Sequence, residues 1–294
     1  MTKFKTQKNA VMPREGDFSG LKQQLQNNFR NTRTDLDMLQ DQIDTLTASI
    51  AASKKIEKRI TISNNATDAN RDIDFGVGWM YDSTGASILT LASVMVKQLD
   101  AAWAAGTAAG GLFTGSIAAT TWYHCFVIRK SSDGTIDAGF DTSLTAANIP
   151  TGYAAYRHVG SIRTDGSSNI MRFIQHDNNI FWYTAVCDYT LANPGTSAVL
   201  AAVYGPPDSV CLINFSMSNA GADGIFYGLA TSPYMADVAP SISINTISSR
   251  GGTSGSSVNT IKVKTDSSSR VRYRLSATGA AHIAYLRCEG WEID

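Results

Sequence analysis

The chain is poor in features that would place it among small secreted scaffolds, membrane proteins or nucleic-acid binders. Its four cysteines, Cys125, Cys187, Cys211 and Cys288, form no C-x-x-C pair. At 294 residues it is too long to need a disulfide framework, so the thiols read as small buried side chains. No run approaches the roughly 18 apolar residues of a membrane span. Lys3, Lys5 and Lys8 precede no apolar signal-peptide core, so the expectation is a chain made in the cytoplasm and not inserted in a membrane. Excess charge is lacking too: 25 basic residues balance 25 acidic ones, and no overall field draws the protein to nucleic acid. Histidine is scarce, at four residues. His124 adjoins Cys125, but strand alternation sends neighbours to opposite faces, and His158, His176 and His282 stand at no ligand spacing from them. A structural histidine is the favoured reading, and no metal or cofactor is expected.

What is present begins with a polar, aperiodic stretch over residues 1–20, containing Pro13 and two glycines. It reads as a flexible arm. The pattern then changes. Phe29, Leu36, Ile43 and Ile50 recur every seven residues, as do Leu25, Thr32, Leu39 and Leu46. With the first series at a and the second at d, they predict a coiled-coil stalk over 21–57, with Thr32 the one polar intruder. The apolar stripe is too narrow for one copy to bury, and an isolated helix of this length is marginal in water. The oligomerisation residues are therefore Leu25, Phe29, Leu36, Leu39, Ile43, Leu46 and Ile50.

From residue 58 the vocabulary turns to β. Arg59 to Ser63 and Asp72 to Phe75 alternate, and Met95, Leu99 and Trp103 predict one short helix over 93–103. Gly106, Gly110, Gly111 and Gly115 predict a loop. Asp133-Gly134 and Asp165-Gly166 sit between alternating runs, a hairpin signal because both residue types tolerate positive φ. A third hairpin is expected at Asp177-Asn178-Asn179, leading into Phe181-Trp182-Tyr183. Near Asp188 the composition shifts towards Ala, Ser and Asn, predicting a module boundary, 58–187 against 188–294. The second module offers seven short strands: Ala198–Tyr204, Val210–Met217, Gly224–Leu229, Ile242–Ile247, Thr260–Lys264, Val271–Leu275 and His282–Cys288. Ser248 to Ser257 reads as a loop. The fold class expected is mainly β: an N-terminal α-helical coiled-coil stalk, then two antiparallel β-sandwich or jelly-roll-like modules.

Candidate chemistry is sparse. Asp68-Ala69-Asn70-Arg71-Asp72 opens like a calcium loop, but Ile73 stands where the turn needs Gly and Trp79 where the bidentate acid belongs. Glycan hydrolysis needs two carboxylates facing each other across roughly 5–9.5 Å. Asp133, Asp137, Asp141, Asp177, Asp208 and Asp223 fall in turns or at strand ends, which attract Asp for backbone reasons alone. No catalytic residue is assigned. Phe181-Trp182-Tyr183 and Phe226-Tyr227 read as packing before sugar platforms. Lys262 and Lys264 share one strand face, and Arg270, Arg272 and Arg274 share another. Joined as a hairpin through Asp266 to Ser269, they would form a cationic surface with Ile261, Val263, Val271, Tyr273 and Leu275 packed inward. A solvated or salt-bridged face is the blander reading, and binding of a phosphate-bearing glycan the sharper one.

Several runs resemble tail-fibre-like virion proteins of tailed bacteriophages and prophages. They are Val96 to Thr107, Gly110-Gly111-Leu112, Thr114 to Ile117, Trp122-Tyr123-His124, Ile149 to Tyr153 with Arg157, Val159 to Ile162, Arg272 to Ala277, and Gly290-Trp291. The resemblance implies a non-enzymatic, trimeric fibre, spike or decoration subunit of the virion, docked through residues 1–20 and projecting β modules towards a host surface. A long β-helical shaft or collagen-like repeat is missing, so the attachment point stays open. On core identity alone, Ile43 and Ile50 at a with Leu39 and Leu46 at d lean towards a dimer. The alternatives to a structural fibre are a lectin that reads a host-surface glycan and a polysaccharide-cleaving tailspike.

Overall fold

The computed structural model describes residues 18–54, 58–185, 187–219, 225–244, 247–249, 255–279 and 281–293. The chain divides into two units, between Glu57 and Lys58. The first holds one helix, α1 (Phe18–Lys54). No proline interrupts it, and Thr32, Thr34 and Thr45 turn their hydroxyls back onto the carbonyls of Asn28, Arg30 and Asp41. At 1.5 Å per residue α1 is about 55 Å long. The expected arm, 1–20, falls mostly on residues outside the described ones.

The second unit is built from strands. The first nine are β1 (Ile62–Asn64), β2 (Asp72–Phe75), β3 (Gly78–Tyr81), β4 (Ile88–Leu91), β5 (Met95–Ala102), β6 (Ala109–Leu112), β7 (Trp122–Lys130), β8 (Ile136–Asp141) and β9 (Tyr153–Arg163). Seven form a sheet in the order β1-β2-β5-β6-β8-β7-β9, and β3 pairs with β4. The hairpin predicted at Asp133-Gly134 is β7–β8, with Arg129 opposite Ile136 and Gly134 at φ 77°.

Three expectations fail in this region. Residues 95–102 are a strand, not a helix, because positions 95, 97 and 99 satisfy a period of two as well as 95, 99 and 103 satisfy a helical one. The position that decides it is Lys97, buried on the inward face. Gly110 and Gly111 lie in strand β6, not in a loop. A Cβ on Gly111 would come within 2.6 Å of the Phe140 ring, and one on Gly110 would run into the Ala102 carbonyl. The glycines thus serve close approach, not flexibility. Nor is the sheet wholly antiparallel: β5–β6 and β6–β8 are parallel pairs.

The remaining strands are β10 (Phe173–His176), β11 (Asn179–Trp182), β12 (Tyr189–Ala192), β13 (Val199–Ala202), β14 (Val210–Asn219), β15 (Phe226–Thr231), β16 (Ile247–Ser249), β17 (Gly255–Lys264), β18 (Arg270–Leu275) and β19 (His282–Glu292). One sheet runs β10-β11-β19-β14-β17, with β12 also on β19, and another runs β13-β18-β15-β16. Both are antiparallel and pack face to face. Alternation along β14 and β18, and along β19 as far as Gly290, turns Phe215, Met217, Tyr273, Leu275 and Leu286 inward. The Phe215 and Tyr273 rings lie 5.9 Å apart, and a Cβ on Gly228 would meet the Met217 sulfur at 2.5 Å.

The boundary expected between 187 and 188 falls inside this unit. β10 and β11 precede it, yet Ile180 pairs with Trp291 of β19, and one apolar cluster runs from Ile60 to Ile293. The hairpin expected around Asp165 begins as predicted, with Thr164 bridging Ile170, but from Phe173 the chain crosses into the sheet of β19. The third hairpin forms as β10–β11, with Asp177 at φ 52° in its turn. Of the strand expected at 242–247, residues 242–244 lie at a bridge from Ser241 to Ile244, 245–246 fall outside the described residues and Ile247 opens β16; of the loop expected at 248–257, 250–254 fall outside them and β16 and β17 enter its two ends.

Candidate functional site

Two sets of residues carry the functional expectations. The first is the seam of α1. Every described side chain from Gly20 to Thr45 is exposed, and the apolar ones stand out: Leu25 49%, Phe29 75%, Leu36 61%, Leu39 55% and Ile43 50%. The side chains of Leu46 and Ile50 lie outside the described ones. Between the seam positions Thr34 and Thr45 bond back to the helix and Gln40 donates to Asp44 at 2.9 Å, and Thr32, at its d position, bonds back likewise.

The second is the cationic set, and the geometry disperses it. β17 and β18 do not pair. β17 lies on β14, whereas β18 lies between β13 and β15 in the opposite sheet. The turn between them does form, with Asp266 accepting from the backbone of Ser268 and Arg270 at 2.9 Å. It hands the chain from one sheet to the other instead of folding it back. The inward set is as expected: Val263, Val271, Tyr273 and Leu275 are buried and Ile261 packs against them. Four of the five cations are engaged locally. Lys262 meets Glu292 and Arg270 meets Asp266. Arg272 donates to the carbonyls of Ser232 and Met235. Arg274 donates to the Thr196 carbonyl and pairs with Asp237 at 2.8 Å. Lys264 is exposed.

The turn acids have local partners, in several cases the backbone of their own turn. Asp133 accepts from the Thr135 N–H at 2.9 Å, which with the Thr135 and Lys130 side chains holds its carboxyl at about 2. Asp141 accepts from the backbone of Ser143 and Asn148, Asp208 from the Tyr234 hydroxyl, and exposed Asp177 faces His176. Asp223 lies outside the described residues. Asp68, from the calcium-like stretch, caps its own turn through the N–H groups of Asn70 and Arg71. Among the described residues no group of three His, Cys, Asp or Glu is placed to hold a metal. Trp182 packs with Trp122 and Trp291, centroids 5.9 and 4.8 Å away, and Phe226 stacks on His282. Of the cysteines, Cys125, Cys211 and Cys288 are buried as expected, but Cys187 is exposed. It lines an open hollow of about 350 Å³ with Asn214, Ser216, Tyr285 and Arg287, on the outer face of β14 and β19.

Two buried polar networks escaped the sequence reading. Lys97 is fully buried, its ammonium 2.8 Å from Asp137 and within 2.6 and 2.9 Å of the Ala104 and Gly106 carbonyls. Asp137 also accepts from the Gly106 N–H at 2.7 Å. Burial pushes the Lys97 pKa down, and Asp137 opposes that shift. Parallel neighbours normally need a dozen or more connecting residues. Here residues 103–108 return β5 to β6, and the lysine ties the carbonyls of that short crossover. In the other network His124 Nδ1 and His158 Nε2 lie 2.8 and 3.1 Å from the Ser161 hydroxyl. One hydroxyl between two neutral imidazoles donates to one ring and accepts from the other. Burial lowers His124 to about 4, opposed by Asp141, and burial together with His124 lowers His158 to about 3. Ser161 and His124 are buried, out of reach of a substrate. The two histidines, remote in sequence, meet because β7 and β9 pair with His124 opposite Ser161 and Phe126 opposite His158.

Comparison with protein-family models, curated proteins and solved structures gave no match.

Proposed function

We propose that the chain is a structural, adhesive fibre subunit of a tailed-bacteriophage virion, with α1 as its self-association element and the β unit as the part it displays. The observation that carries this reading is the exposed heptad seam Leu25, Phe29, Leu36, Leu39 and Ile43 on a 37-residue helix. Such a seam is buried by partner helices packing knobs into holes, and copies of the same helix in register supply them. The resemblance to tail-fibre-like virion proteins selects three chains over the two that Ile at a and Leu at d would favour alone. Residues 1–20 are then the docking arm. A non-catalytic role is supported by the use of Asp133, Asp137, Asp141 and Asp208 as backbone and loop partners. The local engagement of Lys262, Arg270, Arg272 and Arg274 argues against their binding a glycan.

Light scattering on the intact protein tests the reading. A three-chain mass at micromolar concentration is expected, and a one-chain mass that persists to high concentration overturns self-association. Truncation of residues 1–20 is expected to leave the mass per assembly unchanged in chain number and to abolish incorporation into particles.

A further inference from the structure

Arg272 and Arg274 point to a second surface. Both project from the outer face of β18 and fasten residues 232–244, an irregular segment after β15. Arg272 holds the Ser232 and Met235 carbonyls, Arg274 holds Asp237, and Tyr234 reaches Asp208. Ser232 and Pro240 are buried. The segment is a pinned strap, yet the side chains it turns to solvent are those an isolated protein hides: Tyr234 60%, Met235 60%, Val238 41%, Ile242 79% and Ile244 45% exposed. Its single charged residue, Asp237, is already paired. Tyrosine and methionine enriched, charge depleted and backbone fixed in advance is the composition of an interface core. Single exposed apolar residues need no explanation, but five along one short segment do.

We infer that the strap 232–244 is an interface between copies of this chain. The inference rests on the self-association proposed for α1: the β unit starts three residues after α1 ends. Association of the helices therefore tethers the copies at high effective concentration, where a modest apolar surface suffices to join them.

The test compares the masses of four full-length proteins by light scattering: wild type, Leu39→Asp/Ile43→Asp, Met235→Asp/Ile242→Asp, and the quadruple variant. Hydrogen exchange of 232–244 is followed in wild type over a dilution series. The strap substitutions fall on exposed side chains, so they should leave the fold intact. Expected is a helix variant that, without the tether, associates only at concentrations well above those that suffice for wild type, a quadruple variant that stays a single chain throughout, and strap amides that lose protection on dilution through dissociation. A helix variant that is one chain at every concentration, with strap exchange indifferent to dilution, overturns the inference and leaves the α1 reading standing. A helix variant of unchanged mass beside a strap variant reduced to one chain supports the strap and overturns α1. Capture of a different partner by a strap that never joins its own copies also counts against it.

Discussion

Along α1 the five best seam positions are 49–75% exposed, whereas in the β unit Phe75, Phe126, Phe140, Phe215 and Tyr273 are essentially shut from water. The helix has backbone hydrogen bonds and no core; the β unit has a core that reaches from Ile60 to Ile293. The difference locates the source of stability. A lone helix gains little from its own propensities, so the self-association proposed for α1 is what would stabilise it, while the β unit is stabilised by its own core. All five tryptophans, Trp79, Trp103, Trp122, Trp182 and Trp291, belong to the β unit. Tryptophan fluorescence therefore reports that unit alone, and ellipticity at 222 nm is dominated by the helix.

The largest break in the comparison should come from Lys97→Ala. It leaves Asp137 buried without its cation and strips the Ala104 and Gly106 carbonyls of a donor. Removing one partner of a buried pair costs about 3–5 kcal/mol. The tryptophan transition should drop by that much in denaturant, with the helix signal untouched. A loss below about 1 kcal/mol would mean that water replaces the ammonium.

Acid should produce the next effect. His124 and His158 titrate at about 4 and about 3 in the fold against about 6.5 unfolded. The unfolded chain thus binds protons first, and stability is lost as pH falls from about 6.5 towards 4, levelling below the folded values. Asp188, raised to about 6 by burial, acts oppositely over its own window. It is stabilised in its protonated form, so it adds stability as pH falls through 6. The net loss between pH 7 and 4 is roughly 3 kcal/mol. Tryptophan-monitored denaturant midpoints across pH measure it, and His124→Gln should flatten the curve. A profile equally steep without the imidazole would clear the Ser161 network of responsibility.

The smallest effect has the opposite sign and sharpens the contrast. Thr34 faces away from the seam and bonds back to the Arg30 carbonyl at 3.0 Å. Thr34→Ala exchanges a back-bonding residue for the best helix former and should stabilise α1 by about 0.5 kcal/mol. The 222 nm transition should rise slightly while the fluorescence transition stays in place.

How much of this was legible in sequence follows the range of the interactions. The continuous helix, β7–β8 and β10–β11 are local: a seven-residue repeat or a turn residue at positive φ announces them. The Asp266 to Ser269 turn was equally legible, but it states only that the chain reverses, not which sheet receives the next strand. The cationic face dissolved for that reason. Met95 to Trp103 misled because three side chains four apart fit both periods, and Lys97, the residue that settles the matter, looks like a surface lysine until its distant partner Asp137 is known. The His124–Ser161–His158 contact required the β7–β9 register, which no local pattern encodes.

β19 does not sit at a margin: it pairs with β11, β12 and β14, bringing Glu292 opposite Asn179 and Ala284 opposite Met217. Until residues 282–292 are in place, β11, β12 and β14 lack their common neighbour, and the edge of β14 that sets Phe215 opposite Leu286 and Cys211 opposite Trp291 is unpaired and open to another chain. Joining these strands waits on contacts between residues far apart in sequence, which form slowly, and a chain cut short before β19 leaves β11, β12 and β14 without the strand that unites them.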